Sequence, residues 1–321
     1  MFSECPWNTK AKRETLTELL FEKYNVPALY LAKSAVLSAF ASGRSTGLVV
    51  DGGASSLSVT PVYDGYVLYD GIRRSNLAGD GLSDRFVDLL ENKMKVPVVP
   101  HYRVKSKTAV GEAEAAVFKE RPHPHLTDSF IKYSKAEVVL DFQSLAGRVA
   151  SPMYNEDHLG TLPTTSYEFP NGYHNSFGVE RYSIPELLFD PLKEATAVAD
   201  VVMEAGGAAN GGLQPRGVHQ LIRESVDSCD IDIHNNMWTS IVLTGGSTLY
   251  DGFVDRLTSE LSKAAPVTAK VKVLQQMSGA QRVFSPWVGG SILASLGSFQ
   301  QMWVSKAEYE ESGKSVVEKK C

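Results

Sequence analysis

GRSTGLVVDGGASSLSVTPVYDGYVL, residues 43–68, decides the fold. Gly47 to Asp51 reads as a buried strand, and Ser58 to Arg74 as two strands hinged at Asp64-Gly65, a dipeptide favoured in tight hairpin turns. Between them, Asp51-Gly52-Gly53-Ala54-Ser55-Ser56 puts glycines directly after a strand. There main-chain N–H groups can approach a phosphate, and the preceding carboxylate can hold the water shell of a metal. Taken alone, the pattern is more often an ordinary turn, because the same glycines satisfy a hairpin with no ligand. The grammar returns at Ile241–Gly246, IVLTGG. Here Thr244-Gly245-Gly246-Ser247-Thr248 places two glycines and two hydroxyls ahead of an amphipathic helix from Tyr250 to Ala264, where unpaired N–H groups favour anions and polar ligand edges. A plain strand-to-helix turn remains open there too, and neither motif is a P-loop or a dinucleotide fingerprint.

Around these turns, 321 residues with 43% hydrophobic and 21% charged side chains suffice for a large core in one domain or two lobes. No secretory leader or span of ~20 apolar residues is evident. Cys5, Cys229 and Cys321 form no metal-ligand pair and fit reduced thiols. A net charge of −5 gives no basic footprint for gripping phosphate backbones, so any nucleic-acid role is expected through partners. Asn8–Tyr24 has the stripe of a half-buried helix (Leu16, Leu19, Leu20, Tyr24), and Ala28–Arg44 reads as a second, buried helix stopped by Gly43. Val96–Leu126, with prolines at 97, 100, 122 and 124, reads as a loop-rich insertion. Its His101, His123 and His125 lack a Cys or acidic ligand to complete a metal site and are read as a solvated loop. A hairpin at Tyr167–Tyr173 and an Ala/Gly-rich stretch from Ala195 to Gly217 are expected at the periphery. Trp287–Trp303 is apolar and punctuated by Gly289, Gly290 and Gly297, a charged helix follows toward Cys321, and no solenoid repeat is present.

Residues 43–68 together with TGGSTLYDGFVDRL (244–257) and WVGGSILASLGSFQQMWVSKAEYEESG (287–313) strongly resemble the actin superfamily, in order and at the expected separations. YEFPNGYHNSFGVERYSIP (167–185), Cys229–Ile233 and the insertion are most similar to its actin-related protein four branch, the actin-like subunits of SWI/SNF-type remodellers and histone acetyltransferase complexes. The resemblance implies an α/β, two-lobed actin and sugar-kinase fold, with ATP and Mg in the cleft. It implies subdomains at 1–43 with 284–321, at 44–77 with 188–283, and at 78–187 with the insertion at about 96–126. It puts Asp51, Gly53, Ser55 and Ser56 at a phosphate hairpin, with Asp51 reaching Mg through water. Gly79 falls at the cleft, Lys132 near the ribose, and Gly245, Gly246, Ser247 and Leu249 around the adenosine.

The departures from the family pattern matter as much. Ser34 and Ser58 stand where actins carry the Gln and His that orient and polarise the attacking water, and serine is a poor proton acceptor at neutral pH. Ala54, Tyr133 and Val283 replace an acidic hairpin residue, a ribose-contacting Glu and a basic residue beside the adenine. The resemblance therefore implies ATP binding with little or no hydrolysis, no catalytic residues, and a nuclear structural subunit. Its implied partners are nuclear actin and an amphipathic helix of a remodeller's motor subunit, with nucleosome or DNA met only indirectly and no membrane. A groove of Phe40, Gly43, Ser45, Tyr66, Leu293, Leu296, Ser298 and Met302 would receive that helix. The family's first β-unit has no counterpart in this sequence, so apolar faces of the helices between Asn8 and Gly43 are expected to be exposed. A filament-forming ATPase like conventional actin is the alternative, opposed by the two serines and by the insertion.

Overall fold

The computed structural model describes residues 1–123, 125–194, 216–274 and 278–321. Its centre is a six-stranded sheet. β4 (Gly47–Gly52) lies antiparallel to β5 (Leu57–Tyr63) and parallel to β12 (Ile241–Thr244), which carries β13 (Val273–Leu274) on its far side. β6 (Tyr66–Val67) and β7 (Arg73–Ser75) both pair with β5.

Successive side chains of a strand point to opposite faces, and these near-continuous apolar runs therefore bury the sheet on both sides. Leu48 and Val50 of β4, Leu57 and Val59 of β5, and Ile241 and Leu243 of β12 enter the largest core cluster. Covering that face are α3 (Gly79–Asp88) through Leu82 and Phe86, α5 (Val218–Asp227) through Leu221, Ile222 and Val226, and α6 (Phe253–Ala264) through Phe253, Leu257 and Leu261. On the opposite face Val49, Val62 and Val242 meet Ala35, Val36 and Ala39 of α2 (Ser34–Ala41). The hairpin turn between β5 and β6 has both central residues at positive φ, 48° at Asp64 and 84° at Gly65, as its dipeptide predicts.

Several expectations are corrected. Ala28–Arg44 is not one helix. β2 (Ala28–Leu29) pairs with β14 (Val304–Ser305), and β3 (Leu31–Lys33) pairs in parallel with β1 (Phe2–Glu4), so the helix starts only at Ser34. Distant strand partners override local helix preference here. Gly43 does take the left-handed conformation, at φ 67°.

Neither the insertion nor the 167–173 hairpin is wholly peripheral. Val96 and Val98 are buried in the main core, and a hairpin of β8 (Val104–Thr108) and β9 (Val117–Glu120) follows them. The paired strands β10 (Thr165–Glu168) and β11 (His174–Phe177) bury Tyr167, Phe169 and Phe177 around Phe142 of α4 (Asp128–Ala146), an aromatic cluster with ring separations of 4.8–5.8 Å to Phe142 for the three. His123 sits edge-on to Tyr102, and no group of three metal-ligating side chains occurs among the described residues. Residues 195–215 of the Ala/Gly-rich stretch, and Pro124, lie outside the described residues.

Exposed apolar surface occurs on the N-terminal helix, at Leu19 and Tyr24, but less of it than expected. α1 (Lys10–Glu18) continues as a wider turn through Lys23 that buries Leu20 and Phe21, and α2 is held by the sheet on one side. On the other side of α2 lies α8 (Ser285–Ala294). A Cβ at Gly289 would stand 1.8 Å from the Leu37 carbonyl oxygen, so only glycine permits this approach. A group of large exposed side chains lies on α8 and its flanks: Phe284, Trp287, Ile292 and Leu296, with Trp287 75% exposed. No helix among the described residues is long and apolar enough to cross a membrane. All three cysteines are free.

Candidate functional site

Three strand ends converge at the top of the sheet. In the register of the ladder Asp51 stands opposite Ser58 on one side and Thr244 on the other, so the two glycine turns that follow Asp51 and Thr244 emerge side by side. They touch directly. Ser247 Oγ donates to the Gly53 carbonyl at 3.0 Å, and a Cβ at Gly245 would fall 2.3 Å from the Gly52 carbonyl oxygen and 2.7 Å from Asp51 Oδ1. Gly245 has φ 88° and ψ 152°, a region that is close to exclusive to glycine.

Gly79 completes the group. Its N–H donates to the Gly53 carbonyl at 3.1 Å, and that of Asp80 donates to Ala54 at 2.8 Å, so the start of α3 docks on the 51–56 hairpin. The hairpin is closed by Gly53 N–H to the Ser56 carbonyl at 3.1 Å. The N–H groups of Ala54, Ser55 and Ser56 find no acceptor among the described residues. Gly246 faces open space and Leu249 is exposed beside Gly279. Asp51 is half-buried, and burial raises its carboxyl above the ordinary value; a cation close by would reverse that shift. The arrangement offers free amides next to a carboxylate, and a glycine-walled opening beside it.

The sequence-predicted residues are placed as follows. Asp51, Gly53, Ser55, Ser56, Gly79, Gly245, Gly246, Ser247 and Leu249 share one neighbourhood. Lys132 lies on the exposed face of α4, where its Nζ pairs with Asp84 of α3 at 3.5 Å beside a cleft of about 300 Å³ lined by Ser83, Val87 and Ile131, and Ser83 in turn donates to the Gly79 carbonyl. Tyr133 is exposed. Ser34 opens α2, and Ser58 is buried on β5 next to Arg74, whose guanidinium lies 3.9 Å from the centre of the Trp7 ring.

The groove residues divide as well. Phe40, Leu293 and Met302 pack with Leu37 and Phe299, and Leu293 is only 5% exposed, so it belongs to the core rather than to a floor open to a partner. Gly43, Ser45, Tyr66, Leu296 and Ser298 are exposed, Leu296 at 49%. Gly65 donates to the Ser45 carbonyl at 2.7 Å and lies against Phe40, which fixes the hairpin bearing Tyr66 at one rim.

Sequence reasoning missed two polar chains that hold the site. In the first, Tyr250 Oη donates to Gln143 Oε1 at 2.9 Å, Gln143 Nε2 to Ser83 Oγ at 2.9 Å, and Ser83 Oγ to the Gly79 carbonyl at 2.9 Å. In the second, the buried hydroxyls of Ser38, Ser285 and Thr244 follow one another at 3.3 and 2.5 Å, and Thr244 also donates to the carbonyl of Arg282. Runs of serine and threonine carry no signal that marks such pairings, which join residues from opposite ends of the chain.

The actin family profile matches residues 1–321, and the chain belongs to the actin family. It is 39% identical over 323 residues to Actin-related protein 4 of Arabidopsis thaliana and 41% identical over 321 residues to Actin-related protein 4 of Oryza sativa subsp. indica. Actin-related protein 4 of Emericella nidulans is 37% identical over 337 residues. Each match takes in 100% of this chain and 71%, 70% and 70% of the respective relative. The mixed helices and strands agree with the two-lobed actin-like fold.

Proposed function

We propose that this chain is a nucleotide-binding scaffold subunit of nuclear chromatin-remodelling and histone-acetyltransferase complexes, with little or no ATP hydrolysis. The observation that carries the reading is the convergence of the two glycine turns, with three free amides at residues 54–56 beside the Asp51 carboxylate. Those amides suit phosphate oxygens, and the opening at Gly246 and Leu249 suits an adenosine. Mg, held by Asp51 through water, would neutralise phosphate charge. Ser34 and Ser58 give the site no effective general base, which makes it a binding site rather than a catalytic one. Its kinship with proteins named Actin-related protein 4 supports the same assignment.

In this reading the exposed rim of Tyr66, Leu296 and Ser298 above the Phe40 and Met302 side chains receives an amphipathic helix of a remodeller's motor subunit, with nuclear actin alongside. Nucleosomes are then reached through partners, as the net charge of −5 favours. The test is affinity purification of the tagged protein from nuclei, joined to a phosphate-release assay. Co-elution of a remodeller motor without phosphate release is the expected result. Phosphate release rivalling that of filament-forming actin, or pull-down of filaments without a motor, overturns the proposal.

A further inference from the structure

Arg282 is 8% exposed and sits in α7 (Gly279–Val283), the short helix that runs alongside the Gly245 turn. Its main chain and its side chain grip that turn at two separate points. The carbonyl of Arg282 accepts from Gly245 N–H at 3.2 Å and from Thr244 Oγ1 at 2.9 Å. The guanidinium Nη1 donates to the Thr248 carbonyl at 2.9 Å, closing the other end of the same five residues. Inside the turn, Thr248 N–H and Leu249 N–H bond back to the carbonyls of Gly245 and Gly246.

Among the described residues, the Arg282 guanidinium is the side chain that hydrogen-bonds the Thr248 carbonyl at the exit of the turn. The buried Nε–H of Arg282 has no acceptor among the described residues, an arrangement that costs stability and that an apolar side chain of similar length would avoid. Among the described residues Arg282 makes no hydrogen bond to the 51–56 hairpin, whose supports are Gly79 and Asp80 and, from the middle of the clamped turn, Ser247.

We infer that Arg282 is a positioning residue that holds the Gly245–Leu249 turn ready for the adenosine half of a nucleotide and reaches the phosphate hairpin only indirectly, through Ser247. This rests on the nucleotide reading given above. A turn clamped in advance spares the ligand the entropy of ordering it, so losing the clamp weakens binding of the base-bearing half. Charge-assisted donation to the Thr248 carbonyl supplies the hold.

The experiment titrates MgATP and magnesium tripolyphosphate, which has no base or ribose, into the whole chain and two kinds of variant. Arg282→Met keeps a stem of similar length without a donor, and is expected to bind MgATP about tenfold more weakly, the size of one charge-assisted hydrogen bond, with a clearly smaller loss for tripolyphosphate, which depends on the turn only through Ser247. Arg282→Lys, which keeps a charged donor, is expected to recover most of the loss. Thr244→Val is the independent arm, since it removes one donor to the Arg282 carbonyl, leaving Gly245 N–H and the guanidinium contact in place; it should weaken the two ligands in the same order should Arg282→Met fail to fold. Equal weakening of both ligands marks a merely structural role and overturns the inference, as does unchanged MgATP affinity in the variants. A parent chain that binds neither ligand refutes the nucleotide reading itself, whereas a parent that binds MgATP with variants that match it refutes only the role of Arg282.

Discussion

Replacing Gly245 by alanine asks two things of the turn at once. The backbone at φ 88° and ψ 152° is accessible to glycine and costs another residue about 1–3 kcal/mol. The new Cβ would also lie 2.3 Å from the Gly52 carbonyl oxygen and 2.7 Å from Asp51 Oδ1, and the first of these is main chain that cannot swing aside. Relieving such a contact moves β12 away from β4, an overpacking penalty of about 1–3 kcal/mol. The sum, about 2–6 kcal/mol, converts at roughly 2 °C per kcal/mol for a domain of this size to a melting shift of roughly 4–12 °C. Gly246→Ala is the internal control, because its Cβ meets nothing within 4 Å and its φ is not positive. Scanning calorimetry of the two variants against the parent, followed by MgATP titration, is the assay. Gly245→Ala is expected to melt early and lose binding, and Gly246→Ala to melt within about 0.5 kcal/mol of the parent. Identical melts for the two refute the argument that the glycine turns are pressed together.

Leu296→Asp places a carboxylate on a half-exposed rim, so the fold should melt as before while co-purification with a motor subunit is lost; Leu293→Asp, within the core, should unfold the chain instead, and a Leu296→Asp protein that keeps its partner removes the rim from the groove. Arg256 grips Glu186 through two bonds of 2.8 and 3.1 Å with both side chains buried, and burial still holds the Glu186 carboxyl above its ordinary value. Arg256→Met strands that carboxyl and should cost about 3–5 kcal/mol, partly restored by adding Glu186→Gln, and a single variant as stable as the parent contradicts this. Near the C-terminal end, the Lys320 ammonium first, then the main-chain N–H and hydroxyl of Ser305, hold Glu308 down at about 2 from an ordinary 4.5. A carboxyl with a lowered folded value stabilises the fold above its unfolded value and loses that contribution as pH falls toward the folded one. Glu308→Gln should therefore be less stable than the parent at neutral pH and match it near pH 2, and a gap that persists at pH 2 speaks against the assignment.

The β-unit around Asp51 was legible because its signals are local: a short apolar run, Asp-Gly at the turn, and paired glycines after the strands that end at Asp51 and Thr244. Residues 28–33 were misread for the opposite reason. Leu29, Leu31 and Ala32 suit a helix locally, and only the partners Val304–Ser305 and Phe2–Glu4 make strands of them. Tyr167 and Phe169 looked like a surface hairpin because turn residues flank them, yet their rings close over Phe142. In the site, the glycines announced themselves while Arg282 did not. A buried arginine clamping a carbonyl looks the same in sequence as a solvated one, and its neighbour Val283 drew attention as a missing charge.

The pairing of β4 with β12 sets a timetable for synthesis. Leu48 aligns with Ile241, so the inner edge of β4 has no neighbour until roughly two hundred further residues have been added. At ribosomal rates of about 5–20 residues per second, that is a wait of about 10–40 s. Throughout it the apolar run Leu48-Val49-Val50 presents unpaired main-chain groups, the kind of strand edge that recruits other chains. A nascent chain stalled between α3 and α5 should accordingly engage chaperones that bind extended apolar segments, and release them once β12 has emerged and closed the sheet.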